Sequence, residues 1–102
     1  MCFRRTPTVS MKAFLKDSNT TVIDVREPEE FQEQHVEGAI NIPLAQIGTI
    51  LPSDEKVYVI CRSGRRSKWA TNMLRKRGIE AYNVKGGMLQ YVRHKKKKSN
   101  HQ

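Results

Sequence analysis

Cys61 lies where an apolar stretch, residues 57–60, gives way to a short loop and then a helical pattern. The loop, residues 62–66, contains one glycine and three arginines. Backbone N–H groups, the positive end of a helix and cationic side chains all favour an ionised cysteine. Because the thiolate is the nucleophilic form of the side chain, Cys61 is the candidate nucleophile of this chain.

The elements that must position Cys61 alternate between strands and helices. Residues 21–26, 57–60 and 79–84 are rich in β-branched and apolar side chains, which predicts buried strands. Apolar spacing predicts a helix near residues 11–15, capped by Thr8 or Ser10, and further helices at 29–33, 44–51, 68–77 and 88–92. This alternation predicts an α/β fold, a doubly wound parallel sheet with helices on both faces.

The helix after the loop has the clearest amphipathic pattern. Its predicted apolar face consists of Trp69, Ala70, Met73 and Leu74, and Gly78 ends it. We interpret Trp69 and Tyr91 as core or rim packing rather than as substrate platforms. Ligands of open α/β sheets collect at the carboxyl ends of the strands, where Cys61 and the strand-end residues Asp24 and Arg26 are predicted to lie together.

Composition limits the classes of protein to consider. A chain of 102 residues with 37% hydrophobic residues is expected to form one soluble domain, over residues 8–93. No apolar stretch approaches the roughly 18 residues that cross a bilayer, and no signal-peptide core follows the basic residues near the N-terminus, which indicates a cytoplasmic protein.

Cysteine and histidine usage excludes other chemistries. Two cysteines are too few for a disulfide scaffold, and their spacing with the three histidines matches no metal site. We therefore expect no metal and no cofactor. Cys2 is interpreted as an exposed bystander thiol, and the alternative is that it resolves an oxidised Cys61.

The net charge of +9 is concentrated at the C-terminus, where residues 94–102 are predicted to form a basic, disordered tail. Such a tail attracts nucleic acid, anionic lipid or an acidic protein. It carries no interleaved aromatic residues and no nucleic-acid motif, so we interpret it as a solvated terminus and expect neither nucleic acid nor a membrane as a partner.

Three stretches, at 22–31, 35–43 and 61–67, resemble the signature blocks of single-domain rhodaneses, and together with residues 85–88 they cover nearly the whole chain. The resemblance implies a sulfurtransferase. Cys61 would take the outer sulfur of a donor such as thiosulfate as a persulfide and pass it to cyanide or a thiol, including a cysteine of a partner protein. Family members commonly carry tryptophan after the Gly-Gly turn, where this chain has Tyr91.

The resemblance also assigns roles within the site. The N–H groups of residues 62–66 are expected to curl around the sulfur and stabilise its negative charge, which makes Arg62, Ser63, Gly64, Arg65 and Arg66 the substrate-binding residues. Arg62 and Arg65 would attract the anionic donor, and Arg66 would close the loop or bind an oxyanion. The competing explanation is that one or two arginines only solvate the surface. Structural support is expected from Asp24, Arg26 and His35.

Two other functions stay open at this point. Phosphatases and arsenate reductases on the same fold use a loop one residue longer between cysteine and arginine, to enclose a tetrahedral oxyanion. The shorter spacing from Cys61 to Arg66 suits a single sulfur atom. A non-catalytic interaction module is the second alternative, since folds are reused without their chemistry, and the intact cysteine argues against it.

Overall fold

The structure, a computed structural model, describes residues 5–49 and 52–99. Within these two ranges, five parallel strands form one sheet in the order β1-β5-β4-β2-β3. Their bounds are β1 (Thr8–Val9), β2 (Thr21–Asp24), β3 (Ile40–Asn41), β4 (Lys56–Ile60) and β5 (Glu80–Val84). The central strand β4 pairs with β2 and β5, and the register sets Asp24 beside Ile60. The predicted doubly wound parallel sheet is confirmed.

In the part of the chain that the structure describes, four α-helices connect and flank the strands. Their bounds are α1 (Met11–Lys16), α2 (Pro28–Glu33), α3 (Arg65–Lys76) and α4 (Gly87–Ser99). Ser10 caps α1, since its side-chain oxygen accepts a hydrogen bond from the N–H of Ala13 at 3.1 Å. Within the described residues, no helix combines the length and the apolar character that crossing a membrane requires.

Alternation along the strands builds one core on each face of the sheet. Val57, Val59 and Cys61 point to the face that α3 covers, together with Ala70 and Leu74 of that helix. Tyr58 and Ile60 point to the opposite face, where they pack with residues of α1 and α4, namely Met11, Phe14, Met88 and Tyr91. Since successive residues of a strand face opposite sides, β4 delivers Cys61 directly under α3.

One local prediction is corrected, and one strand was missed. The helix predicted over 44–51 is a three-residue 3-10 helix, Leu44–Gln46, because Gly48 and Thr49 are poor helix formers; Ile50 and Leu51 lie outside the described residues. The short edge strand β1 was not predicted at all. Its two residues carry no periodic signal, and pairing with β5 is what makes them extended.

Helix α4 continues through residues 94–99, where the sequence predicts a disordered tail. Lysine and arginine are good helix formers, and their charge is favourable at the negative end of a helix. Lys95 also lies over the ring of Tyr91, with its Nζ atom 5.7 Å from the ring centroid. Residues 100–102 and Cys2 lie outside the described part of the chain.

Candidate active site

The Cys61 loop, residues 61–67, begins at the carboxyl end of β4 and ends in the first turn of α3. Gly64, the N-cap residue of α3, has a φ of 115°, which only glycine adopts readily. This conformation reverses the chain within three residues of Cys61. As a result, the loop returns over the sulfur atom, and the N–H groups of Gly64 and Ser67 are directed at Sγ.

Three hydrogen-bonding groups converge on the sulfur of Cys61. The N–H of Gly64 donates to Sγ at 3.1 Å, and the N–H of Ser67 donates at 3.4 Å. The hydroxyl oxygen of Ser67 lies 3.3 Å from the same sulfur. Cys61 is only 1% exposed and is not part of a disulfide, so its sulfur is buried but surrounded by polar donors on the loop side. Such an arrangement stabilises negative charge on sulfur.

Helix α4 holds the loop from the other side. The N–H of Met88 donates to the carbonyl oxygen of Cys61 at 2.8 Å, and the N–H of Leu89 donates to that of Arg62 at 3.1 Å. Gly87 permits this close approach: a Cβ atom at that position would overlap the carbonyl oxygen of Cys61 and lie 2.6 Å from that of Arg62. The Gly-Gly pair in the sequence indicated a turn, but its role in anchoring the Cys61 loop was not predicted.

The arginines of the loop occupy two different environments. Arg62 and Arg65 are exposed, as is Ser63 between them. Arg66 is half-buried and forms a two-point ion pair with Glu30 of α2, with nitrogen–oxygen distances of 2.8 and 3.1 Å. Sequence reasoning missed Glu30, whose only signal was its place in the first turn of an acidic helix.

The ion pair changes the ionisation of both partners. The hydrogen bonds from Arg66 lower the pKa of Glu30 to about 2, and those to Glu30 raise the pKa of Arg66. An electrostatic interaction with Cys61 makes a smaller contribution to the raised pKa of Arg66. Both terminal nitrogens of the Arg66 guanidinium donate to Glu30. The geometry therefore favours the loop-closing role for Arg66 over direct binding of an oxyanion.

Asp24 and Arg26 form a buried ion pair beside the loop, at a distance of 2.8 Å. The carboxylate of Asp24 also accepts the backbone N–H of Arg26 at 3.0 Å, and Arg26 donates to the carbonyl of Gln34 at 2.6 Å. The side-chain amide of Asn41 donates hydrogen bonds to the backbone carbonyl oxygens of Asp24 and Arg26. These contacts join the end of β2 to the end of α2 and to β3, which suits the predicted supporting role.

His35 lies at the end of α2 with its side chain exposed. Its ring stacks on Phe31 at a centroid distance of 3.8 Å, and its Nδ1 atom is 2.6 Å from the carbonyl oxygen of the same residue. Both contacts are local to α2. These contacts are compatible with the predicted supporting role, and neither of them involves Cys61.

The predicted apolar face of α3 is wrong in one position, Trp69. Its side chain is 54% exposed, whereas Ala70 and Leu74 are fully buried, because the core-facing stripe of the helix runs through Ser67 and Thr71 instead. Trp69 walls a surface cleft of about 680 Å³ beside the loop, together with Leu44, Ala45, Gly48, Met73 and Arg65. Tyr91 is buried in the core, as predicted.

Asn83 is a further member of the site that the sequence did not reveal. It is 1% exposed on β5, and its Oδ1 atom lies 2.5 Å from the hydroxyl oxygen of Ser67. The only signal in the sequence was a polar residue between Tyr82 and Val84 near the end of a predicted strand. The loop therefore receives side-chain or backbone support from β5, α2 and α4.

Comparison with known proteins agrees with this architecture. The chain is 42% identical over 71 residues to the thiosulfate sulfurtransferase PspE of Escherichia coli, covering 65% of this chain and 68% of that protein. It is 36% identical over 94 residues to the putative sulfur carrier protein YrkF of Bacillus subtilis, covering 84% and 51%. The chain thus spans only about half of YrkF, and 59% of the uncharacterized protein YqhL of the same organism.

Solved structures show the same fold. A rhodanese-related protein from Thermoplasma volcanium superposes with a TM-score of 0.80 at 30% identity, covering 86% of this chain and 92% of that one. The human single-domain sulfurtransferase TSTD1 gives a TM-score of 0.74 at 26% identity, with coverage of 85% and 96%. A family model described as rhodanese-like domain matches residues 8–94. The resemblance seen in the sequence is confirmed, and the chain belongs to the rhodanese-like, sulfurtransferase-type family.

Proposed function

We propose that this protein transfers a sulfane sulfur from a donor such as thiosulfate to a thiol or cyanide, with the sulfur held in transit on Cys61. In the first step, the Cys61 thiolate attacks the outer sulfur of thiosulfate, and a new sulfur–sulfur bond forms. The bond between that sulfur and the sulfite group breaks, and sulfite leaves with the electron pair. In the second step, the acceptor attacks the outer sulfur of the persulfide and regenerates the thiolate.

The convergence of donors on the Cys61 sulfur carries this proposal. Negative charge is present on Sγ before the first step and returns to it after the second. The N–H groups of Gly64 and Ser67 lie 3.1 and 3.4 Å from Sγ. They can therefore donate to the charged sulfur before the first step and after the second without rearrangement. Hydrogen-bond donors fixed in advance lower the cost of such charge development. A thiolate attacks without a general base, which fits the contacts of His35 with Phe31 rather than with the loop.

The charges around the loop support an anionic donor. Arg62 and Arg65 are exposed at the rim of the loop, and no acidic side chain within the described residues forms an ion pair with either. They are therefore placed to attract thiosulfate and to bind its oxygens. Arg66 acts differently, since its ion pair with Glu30 fixes the start of α3 against α2 and so keeps the loop closed.

A turnover assay tests the proposal. With thiosulfate and cyanide as substrates, the wild-type protein should form thiocyanate, and Cys61→Ser should not. Cys2→Ser serves as the matched control, because it removes the other cysteine and should leave turnover unchanged. The same preparations are assayed with p-nitrophenyl phosphate. Phosphate release without thiocyanate would establish the phosphatase alternative, and the absence of both activities would favour an interaction module.

A further inference from the structure

A continuous line of hydrogen-bonding groups runs from the Cys61 sulfur across the sheet. Sγ is 3.3 Å from Ser67 Oγ, which in turn is 2.5 Å from Asn83 Oδ1. Asn83 Nδ2 donates to Thr8 Oγ1 at 3.4 Å, and the Thr8 hydroxyl donates to the carbonyl oxygen of Thr6 at 2.8 Å. Ser67 is fully buried and Asn83 is 1% exposed. The line thus connects the buried nucleophile to the surface strand β1.

The hydroxyl of Ser67 has a single proton, so it can donate to only one of its neighbours at a time. When Ser67 donates to Asn83 Oδ1, its oxygen offers only lone pairs to Cys61 and accepts the S–H of the neutral thiol. A thiolate has no proton to donate and can only accept. A hydrogen bond from Ser67 to the thiolate, added to those from the two N–H groups, therefore requires the hydroxyl to turn toward the sulfur. Two acceptors compete for its proton, Asn83 Oδ1 at 2.5 Å and, farther away, the carbonyl oxygen of Gly64 at 3.1 Å.

Asn83 is suited to both arrangements because a carboxamide carries an acceptor and a donor at nearly equivalent positions. Rotation of the amide by half a turn exchanges Oδ1 and Nδ2. Nδ2 then donates to Ser67 Oγ, and the Ser67 proton becomes available to the thiolate. On the far side, the Thr8 hydroxyl can serve the amide in either orientation, since it also both donates and accepts.

We propose that Asn83 is a positioning residue that sets the direction of the Ser67 hydroxyl and thereby controls how readily Cys61 ionises. This inference deepens the proposed function and rests on it for its consequence in sulfur transfer. Asn83 touches neither the sulfur nor the substrate; it acts through Ser67. The inference assigns a chemical reason to a buried amide on β5 that packing alone does not require, because an apolar residue of similar volume would fill the same space.

Charged groups also act on Cys61 and must be separated from this effect. They comprise the Asp24–Arg26 pair, the Glu30–Arg66 pair, Arg62 and Arg65. Three further cations, Arg5, Lys68 and Lys85, line a second cleft on the side of the loop near Asn83. None of these is altered in the variants below. A change in the ionisation of Cys61 among those variants therefore reports on the hydrogen-bonded line.

The test is the rate of alkylation of Cys61 by iodoacetamide as a function of pH, followed by mass spectrometry of the Cys61 peptide. Asn83→Asp introduces a group that only accepts, so Ser67 keeps donating away from the sulfur. The midpoint of the profile should rise by about one pH unit. Asn83→Leu removes the nearer acceptor competing for the Ser67 proton, so its midpoint should fall. Equal shifts in both variants, or none in either, would overturn the inference.

The added charge of Asn83→Asp needs its own control. In a Ser67→Ala background, the shift caused by Asn83→Asp should shrink to less than half, because the substituent can no longer act through the hydroxyl. An undiminished shift means that charge alone acts, and the inference fails. Asn72→Asp places the same change on the exposed side of α3, where Asn72 contacts Thr6, and should leave the profile unmoved.

Thr8→Val keeps the test valid if the buried substitutions prevent folding, because Thr8 is exposed on the edge strand. It removes the acceptor that holds the Asn83 amide in its present orientation. The midpoint should fall by about 0.3 pH unit, and an unchanged or raised midpoint counts against the inference. Alkylation requires no sulfur transfer. A profile that shifts as expected in a protein that forms no persulfide would therefore refute the proposed function and leave this inference intact.

Discussion

The N–H of Met88 donates to the carbonyl oxygen of Cys61 at 2.8 Å, so the first turn of α4 fixes the residue that carries the chemistry. A trans peptide directs its carbonyl and its N–H to opposite sides. Anchoring the carbonyls of Cys61 and Arg62 on α4 therefore constrains the direction of the N–H groups that follow. The Gly-Gly turn and the Cys61 loop are far apart in sequence but act as one structural unit.

Gly87→Ala should disrupt this unit. The new Cβ atom would overlap backbone atoms of Cys61 and Arg62, which cannot move aside as a flexible side chain could. We expect a loss of stability at least about 2 kcal/mol larger than that of Gly78→Ala, together with loss of sulfur transfer. Gly78 is the matched control, since its φ is also positive, at 87°, but a Cβ there meets no atom within 4 Å.

Urea unfolding of the two glycine variants, with parallel activity assays, provides the measurement. The control should lose about 1–2 kcal/mol from backbone strain alone and should keep its activity. Equal losses in the two variants would show that the contact between α4 and the loop has no special importance.

Asp24→Asn should be strongly destabilising. The substitution leaves the guanidinium of Arg26 buried without its counter-ion, which typically costs about 3–5 kcal/mol. Asp54→Asn is the appropriate comparison. The carboxylate of Asp54 accepts a hydrogen bond at 2.7 Å from Thr21 of β2, but this contact lies on the surface. Its effect should stay below about 1 kcal/mol. Denaturant midpoints of both variants decide the matter, and similar values would show that the buried pair contributes little.

The pair of Glu30 with Arg66 predicts a pH dependence of stability. The folded protein has a pKa of about 2 for Glu30, below the ordinary value of 4.5. Stabilisation from this depressed pKa is present above pH 4.5 and is lost as the pH falls toward 2. Both side chains are about one-third exposed, so solvent screening limits the contribution to roughly 1 kcal/mol or less.

Glu30→Gln isolates that contribution. Thermal unfolding of wild type and variant should differ near pH 7 and converge near pH 2. Asp17, whose pKa is also lowered to about 2 by hydrogen bonds from Thr20 and Tyr58, is common to both proteins and cancels in the difference. Glu33→Gln on the same helix should behave as wild type. A difference between wild type and Glu30→Gln that is independent of pH would indicate a packing effect instead.

The sequence predicted the sheet and the position of Cys61 because both depend on local patterns. β-branched runs specify buried strands, and a cysteine that ends one of them must lie at the carboxyl edge of a parallel sheet. The N–H groups of residues 62–66 were expected to surround the sulfur. Of these, the N–H of Gly64 donates to Sγ, and the second backbone donor, the N–H of Ser67, lies outside the predicted set.

The remaining parts of the site depend on contacts between distant segments, which local patterns do not specify. Three hydrogen-bonded contacts of the site join residues from different elements. They are Glu30 with Arg66, Met88 with Cys61, and Asn83 with Ser67. Helical spacing assigned Trp69 to the apolar face of α3, in the core or at its rim, and its side chain is 54% exposed. The small residues Ser67 and Thr71 are buried instead, because this side of α3 packs closely on β4 and β5.

The central claim is that Cys61 receives a sulfur atom, and the mass of the protein after incubation with thiosulfate tests it most directly. Wild type and Cys2→Ser should each gain one sulfur, located on the Cys61 peptide, and lose it when cyanide or a thiol is added. Cys61→Ser should gain none. A folded wild-type protein whose mass stays unchanged, or a sulfur found on another residue, would contradict the account.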